Sequence, residues 1–246
     1  MGIHSRFAVF APCVFTAGRM ASGFFAVIAT FSSRFDYAAI AIGVGLVCDG
    51  LDGKVARLLG SASDFGTQLD SLADVLAFGM APAVLAFYWG VGPAFRSMNL
   101  HNTQIFEVAG WLACCTFVVC SAFRLARFNV SASAESAGFE GLPTPGAAAV
   151  IAAAAFAMPP LSGGKEAAIA LALIVILSVL MVSRIRYDAS GWIAARLRRP
   201  LWALPAALAA IAALWVDAGA AVLSAAVLFA LSGPVAGAAA SLRMGE

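Results

Sequence analysis

Long apolar runs separated by short polar links recur along the 246-residue chain. A helix that crosses a bilayer needs about 20 mainly apolar residues, and the runs reach that length repeatedly. They predict helices over about Phe7–Phe31, from about Tyr37 into the region of Asp49, from near Phe65 to about Trp89, and over about Ile105–Phe123. A fifth follows Pro143 and Pro145 and stops at Pro159 and Pro160, since proline punctuates helices. The sixth runs from about Ala167 to Val182, and the seventh and eighth cover about Leu201–Val216 and Ala218–Ala239. Before the seventh, the run SRIRYDASGWIAARLRRP includes an interfacial piece that lays Trp192 and Ile193 into the headgroups. The expectation is an all-α, polytopic membrane helical bundle of about eight transmembrane helices, a single domain over residues 1–246. The first run is too long for a secretory signal and lacks a clean small-residue cleavage site, so it is read as a helix of the mature chain.

Composition supports the membrane reading: 62% of residues are hydrophobic and 11% charged, against about a quarter charged in a soluble domain. A net charge of +2 gives no reason to expect nucleic acid as a partner. The five cysteines all lie in apolar stretches without a C-x-x-C pair, which points to reduced thiols rather than disulfides or zinc. His4 and His101 stand alone and offer little support for histidine catalysis. With eight spans and the N-terminus inside, 11 of the 15 Lys and Arg fall in cytoplasmic segments. The positive-inside rule then favours both termini inside, a cell-membrane location and an active site facing the cytoplasm.

The polar residues concentrate in one stretch, DGLDGKVARLLGSASDFGTQLDSLAD, from Asp49 to Asp74. Asp49 and Asp52 are three apart and Asp70 and Asp74 four apart, so each pair shares one helix face. Two such helices facing each other gather four acids around one point. Like charges that close oppose joint ionisation, and a site for hard divalent cations resolves the conflict. An intramembrane acid is a functional-site hypothesis by default; a proton relay, or simple pairing of the acids with Lys54 and Arg57, are the alternatives. Gly53, Ala56 and Gly66 could admit a bulky ligand near the helix ends or could serve helix packing. Arg57 could fork onto a phosphate.

These residues form D-x-x-D-G-x-x-A-R, then eight residues, then G-x-x-x-D-x-x-x-D, which resembles the signature of the CDP-alcohol phosphotransferase family. The resemblance is strongest over residues 8–190. It implies an all-helical membrane enzyme that displaces CMP from a CDP-linked alcohol by a second alcohol. Position by position, it implies that Asp49, Asp52, Asp70 and Asp74 bind divalent metal, Mg²⁺ or Mn²⁺ and two ions. Asp74 would also be the catalytic base for the incoming hydroxyl. Gly53, Arg57 and Ser63 would contact the CDP moiety, with Ala56 and Gly66 beside them. The family resemblance also suggests a homodimer.

Beyond the signature, LDSLADVLAFGMAPA, RLARFN, FEGLPTPGAA and MVSRIRY resemble the membrane-integral phosphatidylserine synthase branch. That implies CDP-diacylglycerol and L-serine as substrates within a lipid bilayer. Other acceptors (glycerol phosphate, inositol phosphate, choline) are the alternatives within the family, and an ion-coupled transporter the alternative outside it. Arg124 and Arg127, then Arg184 and Arg186, are candidates for the serine carboxylate, or else anchors at the positive-inside face. Phe139–Pro145 is either a loop over the site or a Pro/Gly-structured connector. The branch usually reads P-N-x-x-T-x-x-N in its first helix; here the positions are Pro12, Cys13, Thr16 and Arg19, so both asparagines are missing. Thr16 remains a candidate nucleotide contact.

Overall fold

The computed structural model describes residues 3–59, 64–92, 103–131, 141–161, 163–185 and 218–243, and every regular element among them is helical. Helix α1 (Ile3–Phe31) and helix α2 (Phe35–Leu59) form a hairpin. Its turn places Ser33 at φ 57°, while the Ser33 and Arg34 N–H groups donate to Thr30 and Ala29 carbonyls at 2.9 Å. These bonds satisfy carbonyls that a helix end otherwise leaves open. The two helices pack along their lengths because Ala26, Ala29, Ala38 and Ala41 bury small faces between them.

Helix α3 (residues 64–91) is continuous but not uniform. An α-helical segment, Asp64–Asp74, passes into a π-helical stretch, Val75–Met80, then an α turn, Ala81–Ala86, then a second π stretch, Phe87–Val91. A π turn widens the helix and re-aims the side chains beyond it. Here the first one follows Asp74 directly and turns Ala77, Phe78 and Gly79 into the protein interior. Gly23 of α1 lies against this stretch so closely that a Cβ there would stand 2.8 Å from Ala77 Cα. That close approach brings the middle of α1 alongside the start of α3.

Helix α4 (Thr103–Ser131) packs on α3 and on α6 (Gly164–Val182), while α5 (Thr144–Ala157) packs on α2 and on α7 (Ala218–Arg243). Two hydrophobic cores meet at α5. Ala147, Val150 and Ile151 belong to one and Ala148, Ala152 and Ala155 to the other. The run of alanines in α5 gives it a narrow cross-section, so it is buried on nearly every side. Outward-facing Phe24, Ile28, Trp111, Leu112, Ile176 and Val179 leave large apolar side chains exposed on the outer surface.

Among the described residues, four segments are long and apolar enough to cross a membrane: Cys13–Phe31, Phe65–Val91, Glu107–Val130 and Gly164–Val182. Thr144–Ala157 and Gly219–Ser232 are shorter apolar helices. The expected seventh helix, the interfacial Trp192 and Ile193, and the lone His101 lie outside the described residues. Two boundaries differ from the sequence reading. Helix α2 continues to Leu59, beyond the region of Asp49, and α4 continues to Ser131 instead of stopping near Phe123. The extension of α4 carries Arg124, Arg127 and Asn129, which all find partners on other elements.

Those partners include the C-terminal end of α6. Arg127 donates to the Val182 and Ser183 carbonyls at 3.1 and 3.2 Å. Gly141 N–H donates to Ile185 O at 2.8 Å and Leu142 N–H to Leu180 O at 3.0 Å. The described part of the Phe139–Pro145 segment is therefore tied to the end of α6, as a structured connector would be.

Candidate active site

The acid pairs project as their spacings require. Asp49 and Asp52 come from α2, Asp70 and Asp74 from the first segment of α3. Helix α1 supplies what the sequence reading missed, the side chain of Arg19, which is 0% exposed and lies among all four carboxylates. One guanidinium nitrogen, Nη1, meets Asp49 and sits 2.8 Å from Asp74 Oδ1. The other, Nη2, meets the Asp70 carboxylate, lies 3.6 Å from Asp52 Oδ2 and also donates to the Asp70 carbonyl at 3.2 Å. The Arg19 guanidinium also stands 5.8 Å from the centroid of the Phe78 ring. A planar fork with donors on two sides matches carboxylates on two helices.

The four acids differ in exposure. The side chains of Asp52 and Asp74 are 9% and 12% exposed, those of Asp49 and Asp70 30% and 46%. Asp49 and Asp70 are thus the more accessible acids, and Asp52 and Asp74 the more buried.

The donor set suits a hard divalent cation. Asp49, Asp70 and Asp74 each offer a carboxylate oxygen, and these atoms lie within 4.8 Å of one another. Magnesium-type ions take such oxygens at about 2.0–2.1 Å and calcium-type ions at about 2.3–2.6 Å. The guanidinium already gathered by the same acids shows that they converge on a cationic centre.

The other predicted positions divide clearly. Thr16 is buried on α1, one turn before Arg19, and Gly66 is half-buried on α3, one turn before Asp70. Gly53, Ala56 and Arg57 continue α2 past its acids. Ser63 and Arg186 lie outside the described residues. Arg124 is buried, donates to Thr144 Oγ1 at 3.2 Å and is near enough to Asp74 and Asp49 to interact with them electrostatically. Among the described residues its Nε has no hydrogen-bond partner. Arg127 faces the end of α6 instead, and Arg184 is exposed just beyond that helix. Of the three serine-carboxylate candidates among the described residues, Arg124 is the one the fold brings beside the acids.

Comparison with known proteins agrees with the signature. The family model for CDP-alcohol phosphatidyltransferase matches residues 9–232. A Helicobacter pylori protein named CDP-diacylglycerol–serine O-phosphatidyltransferase is 38% identical over 180 residues, which cover 72% of this chain and 70% of the relative. The Bacillus subtilis protein of the same name is 32% identical over 180 residues, covering 72% of this chain and 88% of that one. An archaetidylserine synthase from Methanothermobacter thermautotrophicus is 34% identical over 168 residues, covering 68% and 64% respectively.

Proposed function

The chain belongs to the CDP-alcohol phosphatidyltransferase family, and we propose that it transfers a phosphatidyl group from CDP-diacylglycerol to L-serine, giving phosphatidylserine and CMP. The observation that carries this reading is the convergence of Asp49, Asp52, Asp70 and Asp74 from two helices onto one centre. Serine as the acceptor is supported by the names of the relatives, one of which carries a different lipid class but the same amino acid.

In this reading the four aspartates hold two divalent ions, Mg²⁺ or Mn²⁺. Bound there, such ions neutralise the diphosphate and polarise the phosphorus under attack. The chain's own residues do the rest. Gly53 and Arg57, with Thr16, Ala56, Ser63 and Gly66, receive the CDP head, while the diacylglycerol tails stay among the helices. An apolar groove of about 310 Å³, lined by Met80, Val84, Trp111 and Val118 among others, lies between α3 and α4. Met80 is six residues beyond Asp74 on the same helix, so the groove suits a hydrocarbon chain whose headgroup reaches the acids.

Arg124 receives the serine carboxylate. Asp74 accepts the proton of the serine hydroxyl as its oxygen closes on the phosphorus bearing diacylglycerol. The new oxygen–phosphorus bond forms, the bond to CMP breaks, and CMP leaves with the electron pair. The same reading places the chain in the cytoplasmic membrane as one domain with eight spans, both termini inside and the acids facing the cytoplasm, where serine and CDP-lipid headgroups are accessible.

Purified protein supplied with CDP-diacylglycerol, Mn²⁺ or Mg²⁺ and labelled serine tests the proposal. The expected result is serine-dependent CMP release with label in the lipid. CMP release indifferent to serine, or faster with glycerol phosphate, inositol phosphate or choline, overturns the acceptor. Asp74→Asn is expected to lose turnover and keep CDP-diacylglycerol binding; full activity in that variant removes Asp74 from the base role.

A further inference from the structure

Arg19 occupies the place where a cation would bind. Its two terminal nitrogens address all four acids, its side chain is wholly buried, and it lies within the membrane-crossing segment Cys13–Phe31. A buried guanidinium in such a segment needs carboxylate partners. Four carboxylates gathered this closely need positive charge. Each resolves the other's problem, so the arrangement is self-sufficient without metal.

We propose that Arg19 is a tethered cation that fills the carboxylate cage of the metal-free protein and must be displaced before a divalent ion takes the Asp49, Asp70 and Asp74 oxygens. The proposal rests on the reading of these acids as a metal site. The physical ground is exclusion. An ion bonded to oxygens that lie within 4.8 Å of one another sits among them, in the volume that Nη1 and Nη2 now fill. Guanidinium and metal compete for the same lone pairs. The consequence is a threshold: the cage loads only when free divalent ion outcompetes an internal rival of fixed effective concentration.

The arithmetic follows from conformational competition. Apparent affinity falls by the fraction of protein in the competent state. A minor state is commonly about 0.1–10% populated, so the tether weakens metal binding by about tenfold to a thousandfold. Because the four acids lose with it the cation that meets them all, removing Arg19 also destabilises the metal-free protein.

Direct Mn²⁺ binding to the full chain in detergent, followed by electron paramagnetic resonance of free Mn²⁺, measures this without turnover. Arg19→Gln is expected to bind Mn²⁺ at least about tenfold more tightly than wild type, and to unfold at lower temperature when metal-free. Purification in Mn²⁺ keeps that variant folded. Arg19→Lys separates a plug from background charge, since it keeps the charge but loses the fork that spans both helices. Tighter binding by Arg19→Lys, close to that of Arg19→Gln, supports displacement; binding equal to wild type overturns it. Equal binding by wild type and Arg19→Gln overturns the plug alone. Absence of Mn²⁺ binding in every chain overturns the metal reading and the plug with it.

Discussion

Asn129 donates a 2.8 Å hydrogen bond to Ser71 Oγ across 58 residues of sequence, joining the end of α4 to the acid-bearing segment of α3. Ser71 passes the link on by donating to the Thr67 carbonyl at 3.0 Å. It also lies next to Asp70 and three residues before Asp74. The pair therefore fixes the rotation of α3 at the level where its acids face α1 and α2. Asn129→Ala is expected to cost about 1 kcal/mol of stability, the usual worth of one hydrogen bond. Turnover is expected to fall further, about tenfold or more, since small displacements of reacting groups carry large rate penalties. Parallel thermal unfolding and CMP-release assays check this; activity unchanged alongside lowered stability would make the bond purely structural.

Arg124 and Arg127 are three residues apart but have different neighbours, and their variants are expected to separate. Arg127 supplies donors to the Val182 and Ser183 carbonyls. Its replacement by Ala is expected to cost about 1–2 kcal/mol, near the lower end for charged hydrogen bonds, with the serine KM of the surviving protein unchanged. Arg124→Lys keeps the charge near Asp74 but loses the planar fork. It is expected to raise the serine KM about tenfold while leaving that for CDP-diacylglycerol within about twofold, roughly 1.4 and 0.4 kcal/mol. Serine titrations of the two variants at fixed CDP-diacylglycerol distinguish the roles.

The acid spacings were legible in the sequence because they are local: i,i+3 and i,i+4 on helices determine which side chains share a face. Arg19 was not legible as part of the site. It lies 30 residues from Asp49 and 51 from Asp70, and tertiary packing brings α1 to them: the hairpin with α2 for Asp49 and the close approach of Gly23 to Ala77 for Asp70. The sequence reading saw Arg19 as a missing asparagine and left its charge unpaired. The π stretches of α3 were hidden for a related reason, since VLAFGM and FYWGV carry no local mark that separates a π turn from an α turn. The end of α4 was read too short because Arg124, Arg127 and Asn129 look like loop residues until Thr144, the end of α6 and Ser71 supply their partners.

Gly141 tests the connector between α4 and α5. It adopts φ +80°, and a Cβ there would stand 2.3 Å from the Met181 carbonyl oxygen. Left-handed backbone costs a non-glycine residue about 1–2 kcal/mol by itself, and the clash would also displace the 2.8 Å bond from Gly141 N–H to Ile185. Gly141→Ala is expected to destabilise the protein by more than about 2 kcal/mol, seen as a lower Tm and reduced monodisperse yield in detergent. Unchanged Tm would mean that the end of α6 accommodates the connector by moving.

Metal removal is expected to separate activity from folding. Two like charges about 4–5 Å apart repel by about 3–4 kcal/mol at an effective dielectric near 20, so four acids without any cation would strain the junction of α2 and α3. Arg19 supplies a cation to all four in the metal-free protein. Chelation is therefore expected to abolish serine-dependent CMP release while circular dichroism retains its helical signature. The linked stabilisation from an ion at ten times its Kd is only about 1.4 kcal/mol, so Tm should fall by a few degrees. Readdition of Mn²⁺ or Mg²⁺ should restore turnover without a refolding step. Activity that persists in chelator would remove the metal from the reaction. Unfolding in chelator would mean that the guanidinium does not balance the acids as its geometry implies.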